Sequence, residues 1–183
     1  VYDAPRPEIF FKSLPEKVVH PGDSVGIRAD ASWNVPEPEL TLVVNSRKEL
    51  VGVSIGNDMS SRDIEGENLL YLPQAKMYER ACAVGPCIVT GADETAIRQW
   101  TIGVDIIRGG ETVFSGDTSI NNIKPTFDEL LEYLGRSQSF PHGAMLLTGT
   151  GVVPGDEFTL AAEDRIRITV SSIGTLENPV AIV

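Results

Sequence analysis

Three carboxylates at fixed spacing constrain this chain more than any other feature. Glu37 and Glu39 open the apolar run 40–44, and Asp58 follows the apolar run 50–56. Side chains at i and i+2 of an extended segment point to the same side, so the two glutamates project together. A hairpin between the two runs would bring Asp58 back beside them. The spacing therefore predicts two paired strands with three carboxylates at one end.

A cluster of this kind favours a divalent cation. Carboxylates that lie close together repel one another unless something neutralises them. The hard, oxygen-seeking ions suit such a ligand set, and we expect Mg²⁺, with Ca²⁺ or Mn²⁺ as alternatives. Acidic residues near strand ends are more often simply solvated, so the glutamate pair alone is weak support. The third carboxylate after the partner strand favours the metal site.

Composition restricts the class of protein. The chain has 183 residues, enough for one sizeable core, and a net charge of −11. This charge argues against nucleic acid and anionic membranes as partners, because both require a basic surface. No apolar run approaches the length that spans a bilayer. Cys82 and Cys87 lie among small residues, which predicts two buried cysteines and fits a reducing cytoplasm.

The remaining patterns predict a mainly β fold (α+β) with few short helices. Alternating apolar residues indicate a hairpin over 101–116 that turns at two glycines. Thr126 and Glu129 form a capping box for a helix that ends at Gly135. Further strands are predicted over 144–149, 157–162 and 165–172.

Several motifs in order resemble one known family. They are PEIFFK (7–12), VPEPELTLVV (35–44), GNDMSSRDIEGENLLYLPQAK (56–76), GPCI (85–88), LLTGTGVVPGDEF (147–158) and SSIGTLENPV (171–180). Together they resemble the fumarylacetoacetate hydrolase superfamily, and in particular its branch of 2-keto-3-deoxy sugar-acid dehydratases. The resemblance implies a mixed β-roll or sandwich around a metal-centred cavity. It also implies that Glu37, Glu39 and Asp58 hold the metal.

The resemblance extends over nearly the whole chain. It implies that residues 1–183 form one catalytic domain, without the smaller N-terminal domain that family members usually carry. It further implies a small 2-oxo acid as substrate and a homodimer or homotetramer as the assembly.

The resemblance also implies roles for individual residues. Glu8 and Lys76 match positions that transfer protons in the dehydratase branch. A bound cation would lower the pKa of Lys76 towards a useful range. Thr150 matches a position near the substrate carboxylate, and Lys12 either lines the cavity or pairs with an acidic neighbour. Without the motif match, Lys76 would be interpreted as a surface lysine, and Thr150 equally well as an ordinary turn residue.

Two further residues are predicted to support the metal site without binding the metal. Arg62 and Asp63 are expected to pair and to brace the loop that holds Asp58. His20 and His142 stand beside prolines in turn-like stretches, and neither has metal-ligand spacing to another histidine or cysteine.

The expected activity is dehydration of a 2-keto-3-deoxy sugar acid through a metal-stabilised enolate. The main alternative is hydrolysis of an acylpyruvate of the fumarylpyruvate or fumarylacetoacetate type, or isomerisation or decarboxylation of a related diacid. Acylpyruvate hydrolases rely on a His-x-x-Glu pair before this motif, whereas only seven residues precede Glu8 and none is histidine. The pair is therefore either absent or outside this chain, and the reaction type stays open. A catalytically silent scaffold stabilised by a metal is a further alternative.

Overall fold

The protein is described by a computed structural model that covers residues 4–183. Its strands are β1 Val18–Val19, β2 Val25–Ile27, β3 Asn34–Val35, β4 Pro38–Val44, β5 Leu50–Asp58, β6 Ser60–Ser61, β7 Cys82–Val89, β8 Thr101–Arg108, β9 Glu111–Ser119, β10 Ala144–Leu147, β11 Arg165–Val170 and β12 Gly174–Ile182. Its α-helices are α1 Arg62–Glu67, α2 Leu72–Lys76, α3 Glu94–Ile97 and α4 Phe127–Gly135. Single 3₁₀ turns cover Pro15–Lys17, Leu69–Tyr71 and Ile120–Asn122. The predicted mainly β class with few short helices is confirmed.

The first sheet has the strand order β1-β7-β5-β4-β10. Strands β4 and β5 form the predicted hairpin, with Glu39 opposite Gly56 and Thr41 opposite Ser54. Apart from Val43, Leu50 and the exposed Val51, the residues of these two strands are buried on both faces. One face packs in the core, and the other carries the three carboxylates.

The second sheet has the strand order β2-β12-β11-β8-β9. Strands β8 and β9 form the predicted hairpin, which turns at Gly109 and Gly110, whose φ angles of 59° and 88° suit glycine. In β11, Ile166, Ile168 and Val170 are buried and alternate with exposed residues, as the sequence pattern predicts.

The two sheets share one apolar core. Leu40, Leu42 and Ile55 of the first sheet belong to the same buried cluster as Ile106 and Ile166 of the second. Burial of such side chains stabilises each by about 1.5–3 kcal/mol relative to exposure. Among the helices of residues 4–183, none has the length and apolarity required to cross a membrane.

Helix α4 follows the predicted pattern. Thr126 Oγ1 accepts a hydrogen bond of 3.1 Å from Glu129 N, which caps the helix. Phe127, Leu130 and Leu131 are buried on one face, and the helix ends at Gly135. This face attaches α4 to the core.

The predicted strand over 157–162 is wrong. Phe158 N donates to Gly155 O in a turn, and Leu160 N donates to Asn34 O. Ala161 N donates to the buried carboxylate of Asp164 at 2.8 Å. These bonds use the backbone groups that a strand ladder would need, although Leu160 still buries its side chain.

One cysteine also differs from expectation. Cys82 is buried and Cys87 is exposed, and both are free thiols. The β5–β7 register shifts between Val53 and Ile55, which pair with Val89 and Gly85 respectively. Cys87 lies in the stretch that this shift leaves outside regular pairing, and its side chain is therefore not held in the core.

Candidate metal centre

The hairpin sets the backbone of the site. Glu37 N donates to Asp58 O at 3.2 Å, and Asp58 N donates to Glu37 O at 2.9 Å. Glu39 lies two residues after Glu37 and opposite Gly56. Residues at this spacing share one face of a sheet, so the three carboxylates meet.

The structure brings the three predicted carboxylates together. One oxygen of each of Glu37, Glu39 and Asp58 lies within 4.8 Å of the others, and all three residues are buried. Asp58 Oδ1 is buried, and its partner is the Lys12 ammonium, 2.5 Å away, which is a charge that a metal cation could replace. A buried set of three carboxylates supplies the hard oxygen donors that fit Mg²⁺.

Mutual repulsion and burial act on the carboxylates. Burial, followed by the charges of Asp58 and Glu37, raises the pKa of Glu39 to about 8, although a 2.5 Å hydrogen bond from Gly149 N opposes the rise. Burial also raises the pKa of Glu37, opposed chiefly by the Lys76 ammonium. The arrangement therefore favours a partner with more positive charge.

Lys76 lies inside this cluster. Its Nζ is 2.8 Å from Glu37 Oε2, 3.2 Å from Asp58 Oδ2 and 2.5 Å from Ser60 Oγ. Burial favours the neutral amine, but Asp58 and Glu37 outweigh it and raise the pKa of Lys76. This direction is opposite to the one we expect from a neighbouring metal cation.

Lys12 reaches the same carboxylate from the other side. Its Nζ lies 2.5 Å from Asp58 Oδ1 and donates to Met59 O at 3.0 Å and to Lys76 O. Of the two predicted alternatives, pairing with an acidic neighbour is the one that the structure shows.

Arg62 and Asp63 have separate partners, which corrects the predicted pair. Arg62 Nη1 lies 3.5 Å from Glu37 Oε1 and 3.3 Å from Glu65 Oε2. Asp63 Oδ2 accepts from Ser32 N at 2.6 Å and from Ser32 Oγ at 2.8 Å. Neighbouring residues of α1 point to different sides, so they serve different contacts. Arg62 thus supports a candidate metal ligand directly.

The loop after β10 touches the centre through its backbone. Gly149 N donates to Glu39 Oε2, while Thr148 N and Oγ1 both donate to Leu40 O. Thr150 Oγ1 donates to Val152 O at 3.1 Å within a turn. Thr150 therefore stands next to the residue that orients Glu39, and the predicted strand over 144–149 ends at Leu147 to form this loop.

Glu8 lies on the N-terminal segment, defined here as residues 4–14. Its side chain is exposed, unlike the other predicted site residues. Exposure alternates along the following residues: Ile9 and Phe11 are exposed, whereas Phe10 and Lys12 are partly buried. Alternation of this kind is typical of extended chain. Glu8 is exposed and stands four residues before Lys12, which attaches the same segment to Asp58.

Sequence reasoning missed two contributors. Ser60 contacts Lys76, and the i+2 spacing from Asp58 was a signal that it shares the same face. Gly149 orients Glu39 through its backbone, and its φ of 90° is the feature that requires glycine.

Comparison with known proteins identifies the family. The chain matches the profile described as "Fumarylacetoacetate (FAA) hydrolase C-terminal" over residues 1–181. The chain belongs to the fumarylacetoacetate hydrolase family. The resemblance of its motifs is thereby confirmed.

Two curated proteins that are similar to this chain are named as dehydratases. The chain is 48% identical over 183 residues to a "Probable 2-keto-3-deoxyxylonate dehydratase" of Haloferax volcanii, covering 100% of this chain and 63% of the relative. It is 44% identical over 180 residues to the "2-dehydro-3-deoxy-D-arabinonate dehydratase" of Saccharolobus solfataricus, covering 98% and 60%. The chain thus spans about three fifths of the length of these relatives.

A solved structure shares the fold. It is a 2-keto-3-deoxy-D-arabinonate dehydratase complexed with magnesium and 2,5-dioxopentanoate, and it matches with a TM-score of 0.96 and 43% identity. The match covers 100% of this chain and 65% of that one. The predicted fold of the family is therefore confirmed.

Proposed function

We propose that this chain is a Mg²⁺-dependent lyase that dehydrates a 2-keto-3-deoxy sugar acid. The observation that carries the proposal is the buried cluster of Glu37, Glu39 and Asp58 with Lys76 against it. The names of the two dehydratase relatives and the magnesium complex of the similar structure support it.

The residues Glu37, Glu39 and Asp58 would hold the cation, with Ca²⁺ or Mn²⁺ as alternatives to Mg²⁺. When bound, the cation supplies Lewis-acid polarisation of the C2 carbonyl of a 2-oxo acid and offsets the negative charge of the substrate. Gly149 N and Arg62 keep two of the carboxylates in orientation.

Lys76 suits the role of the acid. Its ammonium is fixed by Glu37, Asp58 and Ser60, which holds a proton donor beside the candidate metal ligands. In the reaction, C3 of the substrate loses a proton and C4 loses its hydroxyl. Lys76 gives the hydroxyl the proton with which it leaves as water.

Glu8 suits the role of the base. It stands on the N-terminal segment four residues before Lys12, whose ammonium contacts Asp58, and its exposed carboxylate is free to meet a substrate. Glu8 takes the C3 proton, which leaves an alkene between C3 and C4. A proton shift from C5 to C3 gives the C4=C5 enol, and the enol then gains a proton at C4 and loses its hydroxyl proton to become the aldehyde. Over the whole reaction the substrate loses one water, without net oxidation or reduction.

Thr150 completes the proposal as a substrate contact. It lies in the loop that begins at Gly149, and its hydroxyl is already held in a turn with Val152. Neighbouring N–H groups of such a turn suit an anionic carboxylate.

A product assay tests the function. Incubation with 2-keto-3-deoxypentonate and Mg²⁺ should give 2,5-dioxopentanoate, identified by NMR. Pyruvate release from fumarylpyruvate without dehydration would favour the hydrolase alternative. Isomerisation or decarboxylation of a diacid would favour the other enzymes, and no turnover of any 2-oxo acid would favour the scaffold.

We further propose a homodimer or homotetramer that works in the cytoplasm as one catalytic domain. The assembly is the one that the family resemblance implies. The two free cysteines suit a reducing compartment. Light scattering that gives one chain per particle would contradict the assembly, and fractionation of the source cells would test the compartment.

A further inference from the structure

The ammonium group of Lys12 is surrounded by protein atoms and is not open to a substrate. Its side chain is only 10% exposed, and three protein oxygens surround its ammonium: Asp58 Oδ1, Met59 O and Lys76 O. An ammonium has three N–H donors and no acceptor. These partners therefore account for its whole binding capacity.

The partners of Lys12 belong to different parts of the site. Asp58 is a candidate metal ligand, and Met59 follows it in the chain. The Lys76 carbonyl ends helix α2, where the last carbonyls have no partner within the helix and a nearby cation is favourable. Lys12 itself belongs to the N-terminal segment that carries Glu8.

We propose that Lys12 is a positioning residue that fixes the N-terminal segment against Asp58 and the end of α2, so that Glu8 and Lys76 are held in one arrangement around the candidate metal centre. This inference rests on the proposed function for the role of Glu8 and Lys76. It gives Lys12 a role in turnover without contact to the substrate.

The two lysines divide the Asp58 carboxylate between them. Lys12 Nζ contacts Oδ1 and Lys76 Nζ contacts Oδ2, at 2.5 and 3.2 Å. Loss of Lys12 would leave Asp58, Met59 O and Lys76 O each with one contact fewer. A buried group that loses its partner tends to move or to recruit water, which would misplace Lys76.

The test compares Lys12→Met with Lys17→Met. Lys17 lies five positions later, and its Nζ forms an exposed 3.5 Å pair with Glu79, so its variant is a matched control. With saturating Mg²⁺, Lys12→Met should lower kcat by about tenfold or more, since small misplacements at a reacting centre are costly. KM should stay within about threefold, because a positioning residue contributes no binding to the substrate. Lys17→Met should match the parent protein in both constants.

Two measurements do not depend on turnover. Hydrogen exchange of residues 8–14 should be faster in Lys12→Met than in the control, because the segment loses its attachment. Calorimetric titration should show Mg²⁺ binding at least as tightly as to the parent protein, because a competing cation has been removed from Asp58. Weaker Mg²⁺ binding would overturn the inference that Lys12 acts on geometry rather than on metal capture.

The outcomes separate this inference from the proposed function. A tenfold rise in KM with unchanged kcat would overturn it and make Lys12 a substrate ligand. If the parent protein dehydrates nothing, the proposed function fails. The role of Lys12 in fixing the segment is then tested by hydrogen exchange alone, and exchange of residues 8–14 that is equal in Lys12→Met and the control would overturn it. If Lys12→Met does not fold, Lys12→Arg keeps the charge but cannot place it on the same three oxygens. A parental kcat in Lys12→Arg would contradict the inference.

Discussion

The Lys76 ammonium nitrogen lies 2.8 Å from Glu37 Oε2, and both side chains are less than 10% exposed. A candidate proton donor thus forms a buried ion pair with a candidate metal ligand. Such a pair is costly to break from one side, because the remaining charge stays buried without a partner. The stability of the protein and its chemistry therefore depend on the same contact.

Removal of this ammonium should affect stability and turnover together. Lys76→Met removes the buried cation of Glu37 and leaves Asp58 with that of Lys12 alone, which should cost about 3–5 kcal/mol of unfolding free energy in the presence of EDTA. Added Mg²⁺ should recover more stability in this variant than in the parent protein, while turnover stays about 100-fold or more lower. Urea unfolding and the product assay measure both effects. An unchanged midpoint and rate would contradict the assignment of Lys76.

Metal affinity should separate ligands from proton-transfer groups. Asp58→Asn removes a full ligand charge and should weaken Mg²⁺ binding by about 100-fold or more, since even outer partners contribute 10–100-fold. Glu8→Gln should leave Mg²⁺ affinity within about threefold but reduce turnover by about 100-fold. Glu49→Gln, which alters an exposed pair with Arg47, serves as the control in calorimetric titrations. Equal loss of affinity in the two test variants would move Glu8 into the coordination sphere.

The backbone contact to Glu39 has a matched test. Gly149 and Gly91 both have left-handed φ angles, 90° and 81°, with open space where a Cβ would stand. Alanine at either position should cost about 1–2 kcal/mol of stability. Only Gly149→Ala should also weaken Mg²⁺ binding, by about tenfold, because its N–H orients Glu39. The same Mg²⁺ affinity in both variants would show that this contact is dispensable.

Protons and metal should compete for the cluster. The pKa of Glu39 is raised from 4.5 to about 8, so within this range the folded protein holds a proton that the unfolded chain has lost. Stability without metal should therefore fall as pH rises from about 4.5 to about 8. Because Mg²⁺ displaces that proton, its affinity should increase over the same window and level off above about pH 8. Calorimetry in buffers of different ionisation enthalpy measures the proton release, and a pH-independent affinity would contradict this linkage.

The two thiols provide a test of the first sheet. Burial raises the pKa of Cys82 to about 12, whereas the Cys87 side chain is exposed. Iodoacetamide near pH 8 should therefore modify Cys87 and spare Cys82 in the folded protein, because the thiolate is the reactive form. Peptide mass spectrometry measures the labelling, and both thiols should react after denaturation. Modification of Cys82 at the rate of Cys87 would show that β7 is placed incorrectly.

The local sequence periodicity was sufficient to predict that the three carboxylates meet. Glu37 and Glu39 share a face because they stand two apart in a strand, and the hairpin returns Asp58 to them. The contacts of Lys12 with Met59 and Lys76 join residues 47 and 64 positions apart. No local pattern reports such distances, so the role of Lys12 became visible only in three dimensions.

The two wrong predictions, a strand over 157–162 and a buried Cys87, have the same physical origin. Phe158 and Leu160 alternate as in a strand, yet the backbone around them bonds to Asn34 and Asp164. Cys87 lies beside a shift in the β5–β7 register that the sequence around it does not indicate. In each case a tertiary contact outweighs a local preference.

The most direct test of the metal-dependent dehydration follows one sample by NMR. The purified chain is incubated with 2-keto-3-deoxypentonate in EDTA, and excess Mg²⁺ is then added. The account predicts no reaction in EDTA and formation of 2,5-dioxopentanoate after Mg²⁺, with no such recovery in Asp58→Asn. Dehydration that continues in EDTA, or that Asp58→Asn performs at the parental rate, would contradict it.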